Sequence, residues 1–559
     1  MNQYYISSSQ SRRVEKMNKM EEEQVFDVCI IGAGPAGLAT LSALQSPYSL
    51  DSNISDSQKE RAVKSLKQQQ GKKMSPQERR ICVIDPSNGW LSSWKSNFER
   101  LEIQFLRSPA LAHPDMFDPH ALLSYAVQHG REDELLESGC GDIKKLLALG
   151  QSQIGLWKLP STKLFVDFCL DLAKELHHTF VGNTTVVSIK KNSRDVFELG
   201  LSNGKVVQAE SVVLATGAVG KPIVPVGIQD CPCLRHWTQA PKTIDENDPA
   251  RCNLPVVVVG GGLTAVQVAL NELRRAKASL NSPSVILVSN RPLVEKHFDI
   301  DIAWFDLRTT NKCIADFYHN PMEARKQALR QARRGGSVPP LYMKELFEAE
   351  QNGRLLCLVG EIERSCNDDL NPSRGASICI HHRDTTRPRD GRNNPVTEPI
   401  SAVSSYQVKE LILACGIQPD CERLNSLTGM IQSKWPTRIE SGHPCVTQDL
   451  RWRENMNLFV VGALGSLNIG PDAGNLMGIR RAAQIVASTL GSRNWLRESV
   501  LVNPFEALNW SDDDDDDDST VEGEEEEKER QSLEKSFLET SDMSDTAEES
   551  MSSSDFSLE

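Results

Sequence analysis

Several features are scarce or missing in this 559-residue sequence, and each absence narrows what the chain can be. No apolar run approaches the roughly 18 residues that a membrane-spanning helix needs. Residues 1–24 lack the apolar segment of a secretory signal, so we expect a cytoplasmic protein, with organelle targeting left open. None of the 14 cysteines forms a C-x-x-C pair, which argues against a dithiol redox couple and fits a reducing compartment.

Charge is distributed unevenly along the chain. The formal net charge is −14, but residues 511–559 alone contribute −18, with 21 acidic and 3 basic side chains, which leaves +4 for the rest. Residues 509–559 have too little apolar content to bury a core, so we expect a disordered acidic tail that can bind a basic protein partner. We expect no nucleic-acid partner, no membrane span and no metal site.

A short apolar strand followed by glycines lies near the start of the chain. Residues 28–31 have the length and β-branched content of a buried parallel strand, and they lead into Gly32-Ala-Gly-Pro-Ala-Gly37. The glycines permit a tight turn, close approach of the backbone to a pyrophosphate, and close packing of the next helix. Unpaired N–H groups at the start of that helix, predicted for residues 35–45, would face the phosphates. This stretch predicts a dinucleotide cradle.

The next predicted strand, residues 81–84, ends in Asp85. An acidic residue at this position accepts hydrogen bonds from a ribose 2′-hydroxyl. It lies further than the usual ~20 residues from the glycines because residues 46–80 form a polar stretch, which we interpret as an exposed insertion. The alternative is a loop aspartate before Pro86 that binds nothing.

The pattern of strand, glycines and helix returns near the middle of the chain. Residues 254–259 lead into Gly260-Gly-Gly262-Leu-Thr-Ala265, a second cradle with alanine in the position of the third glycine. Its second strand, residues 285–288, is followed by Ser289-Asn-Arg291 and has no acid there. An arginine and a hydroxyl suit a 2′-phosphate, which favours NADPH over NADH. The alternative is a solvated surface arginine.

Other elements follow from periodicity and from turn residues. Asn203-Gly204 predicts a hairpin between two strands. The remaining predicted elements are helices at 165–176, 264–277, 322–334 and 475–490, strands at 185–190, 196–201, 206–214, 355–362, 404–414 and 458–462, a polar loop at 367–399 and a glycine-rich turn at 463–474.

In this order the parts resemble the two-dinucleotide-binding FAD/NAD(P) oxidoreductases over about residues 26–490. Within that superfamily the chain is most similar to class B flavin monooxygenases and to lysine or ornithine N-hydroxylases. Gly89-Trp90 and Trp94 fall where that family has a G-x-W segment. The chain departs from the family at Gly462-Ala463, where a G-D pair is common, and at His236-Trp-Thr, a fragment of the monooxygenase histidine motif. The resemblance therefore implies the cofactors of the family but does not identify a substrate.

The resemblance implies an α/β fold class with two Rossmann-like three-layer dinucleotide-binding domains, the NADPH domain inserted into the FAD domain. The implied boundaries are a disordered N-terminus at 1–23, a first FAD-binding part at 24–250 with the insertion at 46–80 and a helical segment at 110–180, an NAD(P)H-binding domain at 251–420, a return to the FAD domain at 421–508 and the acidic tail at 509–559.

The same resemblance implies two cofactors, FAD and NADPH, and assigns residues to each. The FAD residues are Gly32, Gly34, Pro35, Ala36, Gly37, Asp85, Trp94, Thr216, Gly217, Gly462 and Gly474. The NADPH residues are Gly260, Gly262, Ala265 and Arg291. His236, Asp301 and Trp304 are pocket candidates, with a structural histidine, a solvated aspartate and a core tryptophan as the alternatives, and no catalytic residue is assigned.

Three functions are consistent with these assignments. The first is an NADPH-dependent FAD monooxygenase in which a C4a-hydroperoxyflavin oxygenates a small nucleophile, with N-hydroxylation of an amine as one case. The second is a flavin-binding NAD(P)H oxidase or reductase, although the missing cysteine pair argues against disulfide reduction. The third is a regulatory flavoprotein with little turnover, of the kind represented by animal oxidative-stress growth inhibitors.

Overall fold

The computed structural model describes residues 25–45, 79–137, 157–228, 233–239, 254–276, 283–333, 336–367, 376–383, 400–423 and 426–498. The predicted N-terminal tail, nearly all of the insertion at 46–80 and the acidic tail lie outside these residues. No helix among the described residues is long and apolar enough to cross a membrane.

Two seven-stranded sheets organise the described part of the chain. In chain order the strands are β1 (Val25–Ile31), β2 (Ile81–Ile84), β3 (Leu135–Leu136), β4 (Leu159–Pro160), β5 (Thr179–Val181), β6 (Val186–Lys191), β7 (Phe197–Leu201), β8 (Val206–Leu214), β9 (Gly220–Pro222), β10 (Leu234–His236), β11 (Val256–Val259), β12 (Val285–Ser289), β13 (Leu355–Asn367), β14 (Ala376–Arg383), β15 (Ile400–Val408), β16 (Glu410–Leu413), β17 (Ile417–Pro419), β18 (Ile439–Glu440), β19 (His443–Pro444) and β20 (Leu458–Val460).

Eleven helices are present among the described residues. They are α1 (Pro35–Gln45), α2 (Ser92–Arg100), α3 (Ala121–Gln128), α4 (Thr162–Glu175), α5 (Leu263–Arg275), α6 (Leu307–His319), α7 (Met322–Arg333), α8 (Pro340–Gln351), α9 (Leu427–Lys434), α10 (Ser466–Ile469) and α11 (Leu476–Glu498).

The first sheet has the strand order β5-β2-β1-β8-β7-β6, and β20 also pairs with β8. The strands β5, β2, β1, β8 and β20 are parallel, while β7 and β6 continue the sheet in antiparallel fashion. Because β20 lies beside β8, a segment more than 400 residues downstream of the first cradle returns to its sheet. The carboxyl ends of β1, β8 and β20 therefore meet at one edge, where ligands of parallel α/β sheets bind.

The second sheet has the order β10-β16-β11-β12-β13-β14-β15. The run from β10 to β13 is parallel, and β14 and β15 extend it in antiparallel fashion. Helix α5 connects β11 to β12, and α8 leads into β13, so both are crossover helices of parallel strands. Buried valine, isoleucine and leucine side chains cover both faces of this sheet. The observed architecture is a mixed α/β fold with two Rossmann-like sheets, as the sequence predicted.

Most predicted elements are confirmed, some with shifted ends. Helix α1 has the predicted bounds, and Gly204 in the predicted hairpin turn has a φ of 82°, a left-handed conformation that favours glycine.

Two predictions between residues 367 and 414 are wrong. The predicted polar loop at 367–399 contains β14, and the predicted strand at 404–414 is two strands, β15 and β16. Only β16 belongs to the parallel core, while β15 pairs with β14 at the outer side of the sheet. The glycine-rich turn predicted at 463–474 also contains a 3₁₀ turn, Gly462–Gly465, and helix α10. In each case the prediction used a local pattern, either alternating apolar residues or a high glycine content. Contacts with distant parts of the chain determine which element forms there.

Candidate functional site

The first glycine cradle lies between β1 and α1, as predicted. Gly32 has a φ of 115°, and a Cβ added to it would lie 2.4 Å from the carbonyl oxygen of Ala215 at the end of β8. A Cβ on Gly37 would lie 2.0 Å from the carbonyl oxygen of Gly32. A Cβ on Gly34, in contrast, meets no atom within 4 Å. Two glycines thus permit close packing, and the one between them opens onto space that a pyrophosphate can fill.

Asp85 lies beside this cradle because β2 pairs with β1. Its Oδ2 accepts a hydrogen bond from the backbone N–H of Ala33 at 2.8 Å, and its Oδ1 accepts one from the N–H of Ser87 at 2.8 Å. Each carboxylate oxygen can accept a further hydrogen bond. The aspartate is therefore fixed against the glycine turn in an orientation that is compatible with a ribose hydroxyl.

Three further predicted FAD residues lie at the same sheet edge. The hydroxyl oxygen of Thr216 is buried with no hydrogen-bond partner in the structure. Gly217 has a φ of 73°, and a Cβ there would meet nothing within 4 Å. At the end of β20, a Cβ on Gly462 would lie 3.7 Å from the Cβ of Ala36 at the start of α1. This sheet edge has open space beside the backbone of Gly217 and a buried Thr216 hydroxyl that lacks a hydrogen-bond partner. Its residues therefore fit a bound cofactor.

The tryptophan segment packs next to the cradle. The N–H of Leu91 donates to the carbonyl oxygen of Ala33 at 2.7 Å, which places the start of α2 against the glycine turn. Trp94 stacks on Phe98, with 3.8 Å between the ring centroids, and also contacts Phe165. The predicted FAD contact of Trp94 remains a prediction, as does that of the exposed Gly474.

The second cradle repeats the backbone contacts of the first. Gly260 donates its N–H to the carbonyl oxygen of Val288 at 2.9 Å, as Gly32 donates to that of Ile84 at 2.9 Å. A Cβ on Gly260 would lie 2.4 Å from the carbonyl oxygen of Ala414 and 2.9 Å from the Cβ of Ala265. The position of Ala265 is fully buried under the turn. The second cradle therefore has the same construction on the second sheet.

Arg291 lies next to this cradle. Its Nη2 donates to the carbonyl oxygen of Gly336 at 2.7 Å. A Cβ on Gly336 would lie 2.6 Å from the Cα of Gly262, so the segment that contacts Arg291 also lies against the cradle. The hydroxyl of Ser289, at the end of β12, donates to the carbonyl oxygen of Arg291 at 2.5 Å. The arginine is thus close enough to the cradle to reach a phosphate of a nucleotide bound there.

A cavity of about 270 Å³ lies beside the end of β12. Its lining includes Ser289, Leu293, Met343, Phe347 and Glu350, so apolar side chains surround two polar groups. It lies between α8 and the strands β12 and β13. Its position two residues from Arg291 makes it a candidate for the base of a nucleotide.

Two of the three pocket candidates lie together. Asp301 caps a 3₁₀ turn that contains Trp304, and its Oδ1 accepts from the N–H of Ala303 at 2.9 Å. The indole of Trp304 lies against the turn after β20, because a Cβ on Gly470 would come within 2.8 Å of two of its ring atoms. The guanidinium carbon of Arg481 lies 5.9 Å from the Trp304 ring centroid. Trp304 therefore marks a junction between the segment after the second cradle and the segment that returns to the first sheet.

His236 belongs to a different place, the edge strand β10 of the second sheet. Its Nδ1 bonds with the hydroxyl of Thr238 at 2.7 Å, and its Nε2 is buried with no hydrogen-bond partner in the structure. Burial lowers the pKa of His236. These features place a buried imidazole with a lowered pKa at the edge of the second sheet.

Residues that sequence reasoning missed connect the two halves of the site. The guanidinium of Arg107 donates to the carbonyl oxygens of Lys296, His297 and Ser337 at 3.0, 3.2 and 3.0 Å. Asp472, in the turn after α10, is fully buried and paired with Arg481. Neither residue belongs to a recognisable spacing, and only the proximity of distant segments identifies them.

Two sheets, each with a parallel core and a glycine cradle at the carboxyl edge of that core, define the class: an α/β oxidoreductase with two dinucleotide-binding cradles. The family described as pyridine nucleotide-disulphide oxidoreductase matches residues 26–306. This is half of the chain, and the chain belongs to that family. No curated protein matches the sequence.

Solved structures with a similar fold have low sequence identity. The ornithine N-hydroxylase of Kutzneria sp. 744, solved with reduced FAD, NADP⁺ and L-ornithine, has a TM-score of 0.57 at 15% identity, covering 84% of this chain and 100% of that one. The FAD-bound cadaverine monooxygenase of Erwinia amylovora has a TM-score of 0.55 at 15% identity, covering 89% of this chain and 100% of that one. The ornithine hydroxylase of Pseudomonas aeruginosa in its reduced form has a TM-score of 0.53 at 15% identity, covering 84% and 100%. These likenesses agree with the expected fold.

Proposed function

We propose that this protein is an NADPH-dependent FAD monooxygenase that oxygenates a small nucleophilic substrate with O₂. The observation that carries the proposal is the presence of two glycine cradles on two sheets, joined near Trp304 and Arg107. Such an arrangement can bring a flavin and a nicotinamide together in one site. When bound, the flavin supplies the redox and oxygen chemistry, and the protein supplies binding, orientation and electrostatics.

In this proposal the first cradle holds FAD. The open position at Gly34 admits the pyrophosphate, and the N–H groups at the start of α1 face it. Asp85 accepts from the ribose, and the unpartnered hydroxyl of Thr216 finds its hydrogen bond with the cofactor. The turn after β20 completes the site, so the domain with the second sheet would be inserted into the FAD domain.

The second cradle holds NADPH in this proposal. Gly260, Gly262 and Ala265 provide the turn, and Arg291 binds the 2′-phosphate by exchanging its contact with the Gly336 carbonyl oxygen. The cavity beside Ser289 receives the adenine. FAD and NADPH are the cofactors that the sequence predicted, and they are consistent with the family.

Disulfide reduction is a second activity that the family name suggests, but the cysteines of this chain do not favour it. No C-x-x-C pair occurs in the sequence. Cys29 and Cys82 face each other on β1 and β2, yet both are fully buried, and burial raises the pKa of the Cys29 thiol well above its usual value. A thiol without access to solvent and with a disfavoured thiolate is a poor redox partner.

The similar folds of an ornithine N-hydroxylase, a cadaverine monooxygenase and an ornithine hydroxylase support a monooxygenase and make an amine the first substrate class to test. The experiment reconstitutes the purified full chain with FAD and measures NADPH oxidation, O₂ uptake and H₂O₂ release. The panel contains amines, thioethers and ketones. A substrate that raises NADPH consumption and is recovered with one added oxygen supports the proposal. Release of H₂O₂ equal to NADPH consumed with every compound would favour an oxidase, and failure of NADPH to reduce bound FAD would favour a regulatory flavoprotein.

The proposal extends to the rest of the chain. The acidic residues 511–559 would bind a basic protein partner through their net charge of −18. A cytoplasmic location is proposed from the scattered cysteines, none of which forms a C-x-x-C pair in the sequence. The predicted domain boundary at 250/251 lies in a segment outside the described residues, and the boundary at 420/421 follows β17.

A further inference from the structure

A carboxylate lies on the wall of the cavity beside β12. This cavity of about 270 Å³ is lined mostly by apolar side chains of α8, β12 and β13, and Glu350 is the charged residue among those that line it. Oε1 of Glu350 accepts from the backbone N–H of Cys357 at 3.2 Å. Burial first, and then the charge and hydrogen bonding of Glu350, raise the pKa of the Cys357 thiol to about 12. Both observations place the Glu350 carboxylate at the cavity wall next to β13.

Glu350 occupies an electrostatically unfavourable position. It is the residue before the last of α8 (Pro340–Gln351), whose final turn contains no basic side chain. The C-terminus of a helix carries a partial negative charge, so a carboxylate there destabilises the helix. A carboxylate can accept about four hydrogen bonds, so its contact with Cys357 leaves capacity for a donor in the cavity. A ligand that donates to Glu350 would offset the unfavourable charge.

The other end of the cavity reaches the place proposed for the 2′-phosphate. Ser289 lines the cavity, and its hydroxyl donates to the carbonyl oxygen of Arg291. In the register of β12 and β13, Ser289 pairs with Val359 and Leu287 pairs with Cys357. The level of Cys357 is therefore two residues, or about 7 Å, from Ser289 along the strands. This is close to the length of a purine with its exocyclic group, so a base whose ribose lies near Arg291 would extend to the carboxylate.

The apolar walls of the cavity suit a flat base. Met343 and Phe347 line it, and the Phe347 side chain is 58% exposed, so its ring is available to a ligand. Aromatic side chains stack on every base, and a thioether also contacts rings favourably. Stacking therefore holds a base without selecting it. Selection requires a polar group, and a carboxylate that accepts hydrogen bonds matches the 6-amino group of adenine, which donates them.

We propose that the carboxylate of Glu350 accepts a hydrogen bond from the 6-amino group of the NADPH adenine and makes the second cradle selective for this base. The inference rests on the proposed function and deepens it by naming a residue that determines nucleotide specificity. A purine with an oxo group at position 6 presents an acceptor in place of that donor. Two acceptors would then face each other, which disfavours the wrong base.

The first test compares NADPH with reduced nicotinamide hypoxanthine dinucleotide phosphate, which has a 6-oxo group in place of the 6-amino group. The readout is kcat/KM for anaerobic reduction of the flavin in the FAD-loaded full chain. We expect the wild type to prefer NADPH at least about tenfold. In Glu350→Gln the side-chain oxygen can keep its contact with the Cys357 N–H while the amide nitrogen donates to an oxo group. The preference for NADPH should therefore disappear or invert in this variant.

Two neighbouring residues of α8 provide the controls. Glu348 pairs with Lys344 at 4.0 Å and does not line the cavity, so Glu348→Gln should leave the preference unchanged. Phe347→Ala removes the stacking surface and should lower kcat/KM at least about fivefold with both nucleotides, without changing their ratio. Equal kcat/KM of the wild type with the two nucleotides, or an undiminished preference in Glu350→Gln, overturns the inference.

The second test measures binding and needs no hydride transfer. Calorimetric titration of the FAD-loaded protein with NADP⁺ and with oxidised nicotinamide hypoxanthine dinucleotide phosphate should give the same preference and the same loss of it in Glu350→Gln. If Glu350→Gln does not fold, Glu350→Asp decides, because it withdraws the charge by one methylene group and should also reduce the preference. Failure of NADPH to reduce the flavin would refute the proposed function, whereas a preference in binding that depends on Glu350 would still support the adenine contact. Absence of NADP⁺ binding would overturn that contact.

Discussion

Two glycines of the first cradle, separated by one residue, have opposite surroundings. Alanine at Gly32 would need a φ of 115° and would place its Cβ 2.4 Å from the Ala215 carbonyl oxygen. We expect Gly32→Ala to reduce the free energy of unfolding by about 2–4 kcal/mol, from a disfavoured backbone conformation and a backbone clash. In a thermal melt of the FAD-free protein, Tm should fall by about 5 °C or more.

Gly34→Ala is the matched control. A Cβ at Gly34 meets no atom within 4 Å, so the FAD-free variant should melt within about 1 °C of the wild type. Because the added methyl group projects into the space proposed for the pyrophosphate, FAD affinity measured by flavin fluorescence titration should drop at least about tenfold. A Gly34→Ala protein that binds FAD normally would show that the pyrophosphate does not lie there.

Arg291 allows a test of the second cradle at the same scale. Arg291→Gln removes the charge proposed to bind the 2′-phosphate, and charge-assisted hydrogen bonds contribute about 1.5–3 kcal/mol. We expect kcat/KM for NADPH in flavin reduction to fall about 10- to 100-fold, with little change for NADH, which lacks that phosphate. An equal loss with both nucleotides would assign Arg291 to positioning the Gly336 segment, whose carbonyl oxygen it contacts at 2.7 Å.

At the scale of elements, a buried ion pair holds the short edge strand of the second sheet. Nε of Arg235 in β10 lies 2.7 Å from Oε1 of Glu410 in β16, and both side chains are about 5–6% exposed. Its Nη2 also lies 3.3 Å from Oε1 of Glu272 in α5. Removing one member of such a pair leaves an uncompensated buried charge, which costs about 3–5 kcal/mol. Arg235→Ala should therefore lower the urea midpoint strongly.

The matched control for this prediction is Arg274→Ala on α5, the helix that also carries Glu272. Arg274 contacts Glu102 at 2.6 Å and Glu345 at 3.0 Å, but its side chain is 43% exposed. Exposed pairs contribute about 0–1 kcal/mol, so the midpoint should move little. Similar decreases in the urea midpoint for Arg235→Ala and Arg274→Ala would show that burial does not determine how strongly these ion pairs stabilise the fold.

The cradles could be predicted from the sequence because their determinants are local. A β-branched strand, glycines at fixed spacing and a helix start occupy consecutive residues, and the structure places Gly32, Gly37 and Gly260 where turn and packing require them. The junction could not be predicted in the same way. Asp472 and Trp304 are far apart in sequence, and their proximity depends on how β20 returns to the first sheet. The error at residues 404–414 has the same origin, since pairing with β14 separates β15 from β16.

At the scale of the whole molecule, the two sheets repeat one construction. In each, the first residue of a glycine turn donates to the end of the second strand, and an alanine after a third strand donates back to the first, at 2.9 Å for Ala215 to Ile31 and 2.8 Å for Ala414 to Val259. This repetition aligns the strand ends that carry the cofactor-binding residues. Function then depends on the segments that connect the regions around the two cradles, among them the segment of Arg107 and the turn before α11.

Helix α11 is joined to the first half of the chain through His113. This histidine is 0% exposed, and its ring accepts from Nη1 of Arg480 at 3.3 Å, so that Nε2 carries the proton and donates to the Pro119 carbonyl oxygen at 3.1 Å. Nη1 of Arg480 also donates to the His113 carbonyl oxygen at 2.6 Å. Burial first, and then the Arg480 charge, hold the pKa of His113 well below its ordinary 6.5. A proton on Nδ1 of this ring would lie beside a guanidinium and would break the hydrogen bond that Nη1 of Arg480 donates to Nδ1.

The sign of the pH dependence follows from this lowered pKa. Above pH 6.5 the imidazole is neutral in both states, but below it the unfolded chain takes up a proton that the folded chain refuses. The free energy of unfolding should therefore decrease as the pH falls from 6.5 towards the pKa of the folded protein, by at most about 1.4 kcal/mol per pH unit. Asp115, whose pKa is raised by burial, acts in the opposite direction, so the contribution of His113 must be isolated by difference. Urea unfolding of His113→Gln and the wild type between about pH 7 and pH 5 gives that difference, and the variant should be less sensitive to acid. Equal slopes would mean that the unfolding transition measured does not expose the His113 side chain.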